Sequence, residues 1–105
     1  MMRERLRNRR NHLLFDFESM GMRCTASASR YDDGRLAELF LDNHKQGSAI
    51  GTLVRDLALT ASFALQHGAD PESLRKALSR DAQGRPLGPL AVALDIILAN
   101  DGTTP

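Results

Sequence analysis

The sequence predicts an α+β domain in which a three-stranded antiparallel sheet (β-β-β) is followed by three helices packed on one face. Two observations predict this order. Three early segments alternate apolar and polar side chains with the period of a strand, and three later segments repeat apolar residues with helical spacing. A chain of 105 residues with 42% hydrophobic residues suits one modest core. We therefore divide it into a basic flexible arm (1–11), a single domain (12–99) and a disordered tail (100–105).

The first predicted strand covers residues 12–18. Leu13, Phe15 and Phe17 share one side of this strand. The other side is polar except at Leu14. Such alternation is typical of a strand with one side on the core. A short turn then leads into the second strand, residues 22–30.

The second and third strands are expected to form a hairpin. Asp33 and Gly34 are the residue types that occupy the two left-handed positions of a type I′ turn. A two-residue loop sets Ala28 opposite Leu39, whereas a three-residue loop sets Ala28 opposite Glu38 and mixes the faces, so the two-residue loop is favoured. The opposite face then carries an apolar patch beside its polar residues, which is a candidate surface for a partner: Tyr31, Leu36 and Phe40.

Three helices are expected after the sheet. The first begins at the N-cap Ser48 and ends before the C′ glycine Gly68, and it is apolar nearly all round, which predicts a central helix covered on several sides. Asp70-Pro71-Glu72 is typical of a second helix start. Pro89 opens the third helix, which runs to Ala99.

Composition and charge favour a cytoplasmic protein. The single cysteine, Cys24, excludes an internal disulfide, and the sequence shows neither a secretory signal nor a membrane-spanning apolar run. The formal net charge of +1 hides a basic N-terminal segment, which is compatible with nucleic acid or another acidic partner. Its arginines are Arg3, Arg5, Arg7, Arg9 and Arg10. Solvated terminal charge explains them equally well.

The segment Lys45-Gln46-Gly47-Ser48 is the best candidate for ligand contact. A helix N-terminus offers free backbone N–H groups, Gly47 permits close approach and Lys45 adds positive charge, which together could hold a phosphate or carboxylate. Ordinary capping of the helix by Ser48 is the simpler interpretation.

The residues predict neither a catalytic cluster nor a metal site, and no cofactor is expected. Cys24 lies on the predicted core side, and the histidines lack a metal-ligand spacing: His12, His44 and His67. Asp56 and Asp95 are better explained as members of ion pairs, with Arg55 or Arg80 as the partner of Asp95.

Several segments resemble the TSCPD domain found at the C-terminus of adenosylcobalamin-dependent (class II) ribonucleotide reductases. They are the Asp-Asp-Gly turn at 31–34, the acidic-hydrophobic strand at 38–41, the Lys-x-Gly-Ser start at 45–48, the Ser-x-Ala-Leu-Gln-x-Gly end at 62–68 and the helix at 89–97. The Thr-Ser-Cys-Pro-Asp stretch that names the family is absent, and a single cysteine cannot form the redox cysteine pair of those enzymes. The resemblance therefore implies a TSCPD-like domain without any transferable catalytic residue.

Three functions remain open at this level. The first is a non-catalytic accessory module that binds a protein partner, a second copy of itself or a nucleotide-like anion. The second is a nucleic-acid-binding or mobile-element protein that inhibits a host system through its basic arm. The third, least favoured, is a small nucleotide enzyme using Asp56, Asp95 or His67.

Overall fold

The computed structural model describes residues 12–45 and 47–100. Its elements follow the predicted order, and the α+β fold class is confirmed. They are β1 (His12–Ser19), β2 (Met22–Arg30), β3 (Leu36–Asp42), α1 (Ala49–Gln66), α2 (Pro71–Ala77) and α3 (Pro89–Ala99). The predicted basic arm, Gln46 and the chain after Asn100 lie outside the described residues.

The sheet has the order β1-β2-β3, with both neighbouring pairs antiparallel. A two-residue turn at Met20 and Gly21 joins β1 to β2, and both residues have a positive φ (56° and 73°). This is the backbone that a type I′ turn requires, and its twist matches that of the flanking strands. The predicted alternation of β1 is confirmed, because Phe17 is buried while Asp16 and Glu18 are exposed.

The predicted two-residue loop between β2 and β3 is wrong. Tyr31 N–H donates to Arg35 O and Gly34 N–H donates to Tyr31 O, so the loop holds three residues, and Asp33 does not take the predicted left-handed conformation. Only Gly34 has a positive φ there, 93°. The Asp33 carboxylate instead accepts bonds from the backbone N–H and the Nε of Arg35, which stabilise this three-residue loop.

The predicted strand register is nevertheless confirmed beyond the turn. Arg30 pairs with Leu36, but an irregularity then inserts one extra residue, Ala37, into β3. From there Ala28 faces Leu39, as the face pattern requires. The bulge also turns Leu36 toward the core, where only 4% of its surface stays exposed.

The core lies on one side of the sheet, between the sheet, α1 and α3. Small side chains such as Ala26 and Ala58 let the helix backbone come close to the strands. α3 packs on β1 and β2, and α2 packs on α3. The largest fully buried side chains are Leu41, Leu94, Ile97 and Cys24.

α1 packs along the edge of β3, and the prediction of a central helix covered on several sides is wrong, because Leu53, Leu59 and Phe63 are exposed. The Ser62 hydroxyl accepts from Leu39 N–H and donates to Leu39 O, both at 2.9 Å, while Gln66 Nε2 donates to Ala37 O at 3.0 Å. These side chains take the place of a neighbouring strand at Ala37 and Leu39 and satisfy the backbone groups there. Within the described ranges, no helix has both the length and the apolar character needed to cross a membrane.

The ends of α1 form as the sequence predicts. The Ser48 Oγ accepts from Gly51 N–H, which confirms the N-cap. At the other end, Ala69 N–H donates to Ala64 O and Gly68 N–H donates to Leu65 O, the bond pair of a Schellman motif. Gly68 carries the required positive φ of 102°.

An arginine cluster joins α2, the following loop and α3. Asp95 on α3 accepts from both Arg80 and Arg75, so Arg80 is confirmed as its predicted partner. The alternative partner, Arg55, bonds instead to Asp42 at 3.3 Å. Hydrogen bonds from Arg80 hold the pKa of Asp95 below its usual range. The arrangement is that of a structural ion network.

Candidate interaction surfaces

The predicted anion site has the geometry of a capped helix start. Lys45 and Gly47 are exposed, and Gln46 lies outside the described residues. The Lys45 carbonyl oxygen accepts from the Ser48 hydroxyl at 2.8 Å and lies 2.6 Å from where a Cβ on Gly51 would be. This oxygen presents negative partial charge against the first turn of α1, where an anion would need positive charge. Anion binding at this segment stays a prediction.

The predicted outer patch is not assembled. Tyr31 and Leu36 are buried, with 7% and 4% of their surfaces exposed, whereas Phe40 is 52% exposed. The bulge at Ala37 separates them, because it places Leu36 and Phe40 on different sides of the sheet. Only Phe40 of the three is available to a partner in this conformation.

The three histidines lie apart. His12 bonds to the Ser29 hydroxyl, and the His67 Nδ1 lies 2.9 Å from Phe63 O at the end of α1, as predicted for an imidazole near the negative helix terminus. His44 contacts the Thr25 hydroxyl. Among the described residues, no group of three or more histidine, cysteine or acidic side chains could hold a metal ion.

One polar cluster on the outer sheet face has the residue types of a catalytic site. The Thr25 hydroxyl lies 2.7 Å from both the Asp16 carboxylate and His44 Nε2. A carboxylate only accepts, so the hydroxyl donates to Asp16 and accepts from the Nε2–H of His44. The bond from Thr25 lowers the pKa of Asp16. His44 therefore donates toward Thr25 and cannot take its proton, which is the opposite of nucleophile activation.

The remaining catalytic candidates are not brought together. Cys24 is fully buried, and burial raises the pKa of its thiol, so the thiolate is disfavoured. Asp95 is held in the arginine cluster, while Asp56 is exposed on α1 and His67 lies at the helix end. Asp56 lines a groove between α1 and the sheet.

A groove of about 450 Å³ runs between α1 and the outer face of β2 and β3. Among the described residues, its lining includes two carboxylates, one arginine, one histidine and exposed apolar side chains. The apolar residues include Leu59 and Phe63, which are 55% and 46% exposed. The lining residues contributed by β3 and α1 include Glu38, Phe40, Asp56, Leu59, Phe63 and Gln66.

Gln66 at the groove carries an incomplete set of hydrogen bonds. Only 8% of its surface is exposed, and its Nε2 donates to Ala37 O, but its Oε1 has no hydrogen-bond partner. Sequence reasoning missed Gln66 and Ser62, although both interrupt the inward apolar stripe of α1 at positions four apart. Two polar residues at that spacing on a buried helix face indicate a specific polar target.

The side of α1 that faces away from the groove forms a second candidate surface. We call it the α1 flank, and it consists of Ile50, Leu53 and Leu57. Their side chains are 48%, 63% and 40% exposed. Positions three and four apart lie on one helix face, so the three residues form a continuous apolar stripe. The sequence showed these residues as apolar, but it assigned them to the core.

Comparison with known proteins supports one relationship. The chain is 35% identical over 66 residues to the vitamin B12-dependent ribonucleotide reductase of Bradyrhizobium diazoefficiens, which covers 63% of this chain and 5% of the relative. It is 31% identical over 77 residues to the enzyme of the same name from Agrobacterium fabrum, covering 73% of this chain and 6% of the relative. The corresponding values for Rhodopirellula baltica are 34% over 70 residues, 67% and 7%.

The chain thus spans only 5–7% of the length of these relatives, and it is similar to a small region of vitamin B12-dependent ribonucleotide reductases. This confirms the reductase resemblance at that level, whereas the assignment to the TSCPD domain stays a prediction. No protein-family model matches the sequence. No solved structure matches it either.

Proposed function

We propose that this chain is a non-catalytic accessory module, related to a small region of vitamin B12-dependent ribonucleotide reductases, that binds a reductase chain through the α1 flank. The observation that carries the proposal is the exposure of Ile50, Leu53 and Leu57 on one continuous stripe. Burying one such side chain contributes roughly 1.5–3 kcal/mol. The α1 flank therefore offers hydrophobic free energy that the packing of the domain itself does not use.

The relatives suggest the partner. In them, the matching region is a small part of a long chain whose printed name is a vitamin B12-dependent ribonucleotide reductase. Such a region can pack against the rest of a long chain through an exposed apolar surface. A reductase chain is consequently the occupant that we assign to the α1 flank.

The polar chemistry of the described residues favours binding over catalysis. The pairings that the structure gives to Asp16, Thr25 and Asp95 use their polar atoms for structural hydrogen bonds. An interaction module needs only the exposed stripe, while an enzyme needs a nucleophile or acid–base pair in a cleft. The geometry therefore supports the accessory role best.

The test measures binding of the purified chain to a purified vitamin B12-dependent ribonucleotide reductase by biolayer interferometry and analytical ultracentrifugation. Leu53→Gln/Leu57→Gln should weaken the complex at least a hundredfold, because two apolar anchors become polar. Leu87→Gln is the matched control, since Leu87 is 52% exposed and lies in the loop before α3 rather than on α1, and it should bind as the wild type does. Circular dichroism verifies that both variants are folded.

Two outcomes would overturn the proposal. Equal binding by the double variant and the wild type would exclude the α1 flank. Absence of any complex, with the wild type forming a dimer that the double variant cannot form, would assign the flank to a second copy of this chain instead.

The sequence also favours a second function for a specific reason: five of the first ten residues are arginine. Nucleic-acid binding by this segment should weaken steeply with salt and disappear when residues 2–10 are deleted. The α1 flank variants should leave it unchanged, which separates the two functions.

A further inference from the structure

We propose that a reductase chain binds the α1 flank through an amphipathic α-helix that packs lengthwise along α1. This inference rests on the proposed function, and it names the structural element that the partner presents. The contact surface continues beyond the α1 flank toward the end of the helix. We call the whole surface the α1 seam, and it consists of Ile50, Leu53, Leu57, Thr60 and Ala64.

The spacing of the α1 seam is that of a contact between two helices. Its residues follow one another at intervals of three, four, three and four positions within α1. A mean interval of about 3.5 residues keeps the contact residues of two helices facing each other when the helices cross at about 20°. The seam extends over about 21 Å, since a helix rises about 1.5 Å per residue. A partner helix of about four turns covers this length.

Thr60 belongs to the α1 seam although its side chain is polar. Its hydroxyl donates to the backbone oxygen of Asp56 at 2.8 Å and is therefore bonded within the helix. Its methyl group is then the part of the side chain that is left for contact with a partner. Ala64, which is partly exposed, adds a small apolar side chain one turn further along. The seam is consequently continuous from Ile50 to Ala64.

The chemistry of the α1 seam favours a helix over an extended segment. Its four apolar side chains carry no hydrogen-bonding group, and the Thr60 hydroxyl donates its proton within α1. An extended segment lying on this surface would bury its N–H and C=O groups without partners, which is unfavourable. A helix pairs its own backbone groups and can present an apolar face. The helix is therefore the element that this surface accepts.

The α1 seam also determines which side chains the partner helix needs. The seam residues become smaller along α1, from Ile50 and Leu53 to Thr60 and Ala64. Small residues let two helix backbones approach closely, and large side chains of one helix pack well against small ones of the other. The partner helix therefore carries its larger apolar residues opposite Thr60 and Ala64.

Asp56 places a negative charge at the border of the α1 seam. It is exposed, and its carboxylate forms neither a hydrogen bond nor an ion pair within residues 12–45 and 47–100. It lies three residues after Leu53 and four before Thr60, so it is their neighbour on the helix surface. Positions that flank the contact of paired helices carry charges that pair with the partner. The partner helix therefore has a lysine or arginine at this border.

The first experiment measures binding of variants to a purified vitamin B12-dependent ribonucleotide reductase by biolayer interferometry, with circular dichroism as the check of folding. Thr60→Gln/Ala64→Gln should bind at least tenfold more weakly, because longer polar side chains prevent close approach of a helix. Thr52→Gln is the matched control and should bind as the wild type does. Thr52 is exposed and its hydroxyl bonds to the backbone oxygen of Ser48 at 3.2 Å, but it lies outside the seam. Asp56→Asn should weaken binding and make it less sensitive to salt.

The second experiment identifies the partner element by cross-linking. Ile50→Cys and Thr60→Cys each carry a photoreactive group, and mass spectrometry locates the attachment points on the reductase. Cys24 is fully buried, so the reagent should label the introduced cysteine. Ten residues of α1 separate the two positions, which is about 15 Å. A helix should be labelled at points about ten residues apart, whereas an extended segment, which advances about 3.3 Å per residue, would be labelled at points about five apart.

The outcomes separate this inference from the proposed function. If Leu53→Gln/Leu57→Gln loses binding while the folded Thr60→Gln/Ala64→Gln binds as the wild type does, the α1 flank is the binding surface and the lengthwise helix is wrong. Attachment points about five residues apart, or on separate segments of the reductase, would also overturn the helix. Unchanged binding by Asp56→Asn would contradict the charge pairing. If none of these variants differs from the wild type, or if no complex forms, the inference and the proposed function are both wrong.

Discussion

The substitution Ser62→Ala should destabilise the fold far more than the loss of one hydroxyl normally does. The Ser62 hydroxyl pairs with both the N–H and the C=O of Leu39, each at 2.9 Å. Ser62 and Leu39 are 5% and 4% exposed. Alanine would leave two backbone groups of an edge strand buried without partners.

The magnitude follows from those two groups. Each unsatisfied buried group costs about 1–3 kcal/mol, and the better helix propensity of alanine returns about 0.5 kcal/mol. Because Ser62 and Leu39 both line the groove, water can reach this edge more easily than a sealed core, which favours the lower half of the range. We expect a loss of about 1.5–3.5 kcal/mol in the free energy of unfolding, a large part of the about 5–15 kcal/mol typical of a domain.

Urea unfolding followed by circular dichroism measures this loss, and hydrogen exchange of the Leu39 amide reports the edge directly. Thr60→Ala is the matched control on the same helix, since the exposed Thr60 hydroxyl bonds only to Asp56 O. It should change stability by less than about 0.5 kcal/mol. Equal effects of the two substitutions, with unchanged Leu39 exchange, would refute the idea that α1 completes the sheet edge.

Three further predictions follow from the packing and the pKa shifts. Gly51→Ala should lower the free energy of unfolding by about 1–3 kcal/mol in urea melts, because the new Cβ would lie 2.6 Å from the carbonyl of Lys45. Asp95→Asn should lower the urea midpoint at neutral pH, because the bonds from Arg80 lower the pKa of Asp95 in the folded state and stabilise the fold above the unfolded pKa of about 4. The difference from the wild type should shrink as the pH falls through the lowered pKa of the folded state. The Cys24 thiol, whose pKa is raised by burial, should react with Ellman's reagent only after unfolding.

The strand register could be predicted from the sequence, but the turn that produces it could not. Apolar alternation fixes which residues face the core, and that requirement placed Ala28 opposite Leu39 correctly. Asp-Gly occurs both in two-residue loops and at the end of three-residue loops, so the dipeptide alone does not choose between them. The bulge that reconciles the longer loop with the register falls on Ala37, whose small side chain gives no signal for either face.

The position of α1 shows a different limit. Helical periodicity counts apolar residues around a helix, but it does not reveal which of them the same chain covers. Leu53 has the spacing of a core residue and is nevertheless 63% exposed. The useful signal was the polar pair Ser62 and Gln66 on the inward face, which a search for hydrogen-bonding partners would have assigned to a strand edge.

The groove could not be predicted from the sequence, because it too depends on where α1 packs. Its described lining residues come from three strands and one helix that are separated along the chain, and their meeting depends on the sideways placement of α1. That placement is specified by hydrogen bonds from Ser62 and Gln66 to the backbone of β3. Single side chains such as Asp56 carry no indication of it.

The groove and the α1 flank therefore have the same structural origin, which is the position of α1 at the edge of the sheet. A helix lying centrally over the sheet would cover its own flanks with neighbouring elements, as the apolar sequence of α1 led us to expect. Because Ser62 and Gln66 draw α1 to the edge of β3, one side of the helix meets the outer sheet face and forms the groove, while Leu53 and Leu57 stay exposed on the other. Leu53 and Leu57 contribute little to the packing of this domain, so polar residues could replace them without loss of stability. Their presence beside a strand edge that Ser62 and Gln66 already bond is best explained by contact with another molecule.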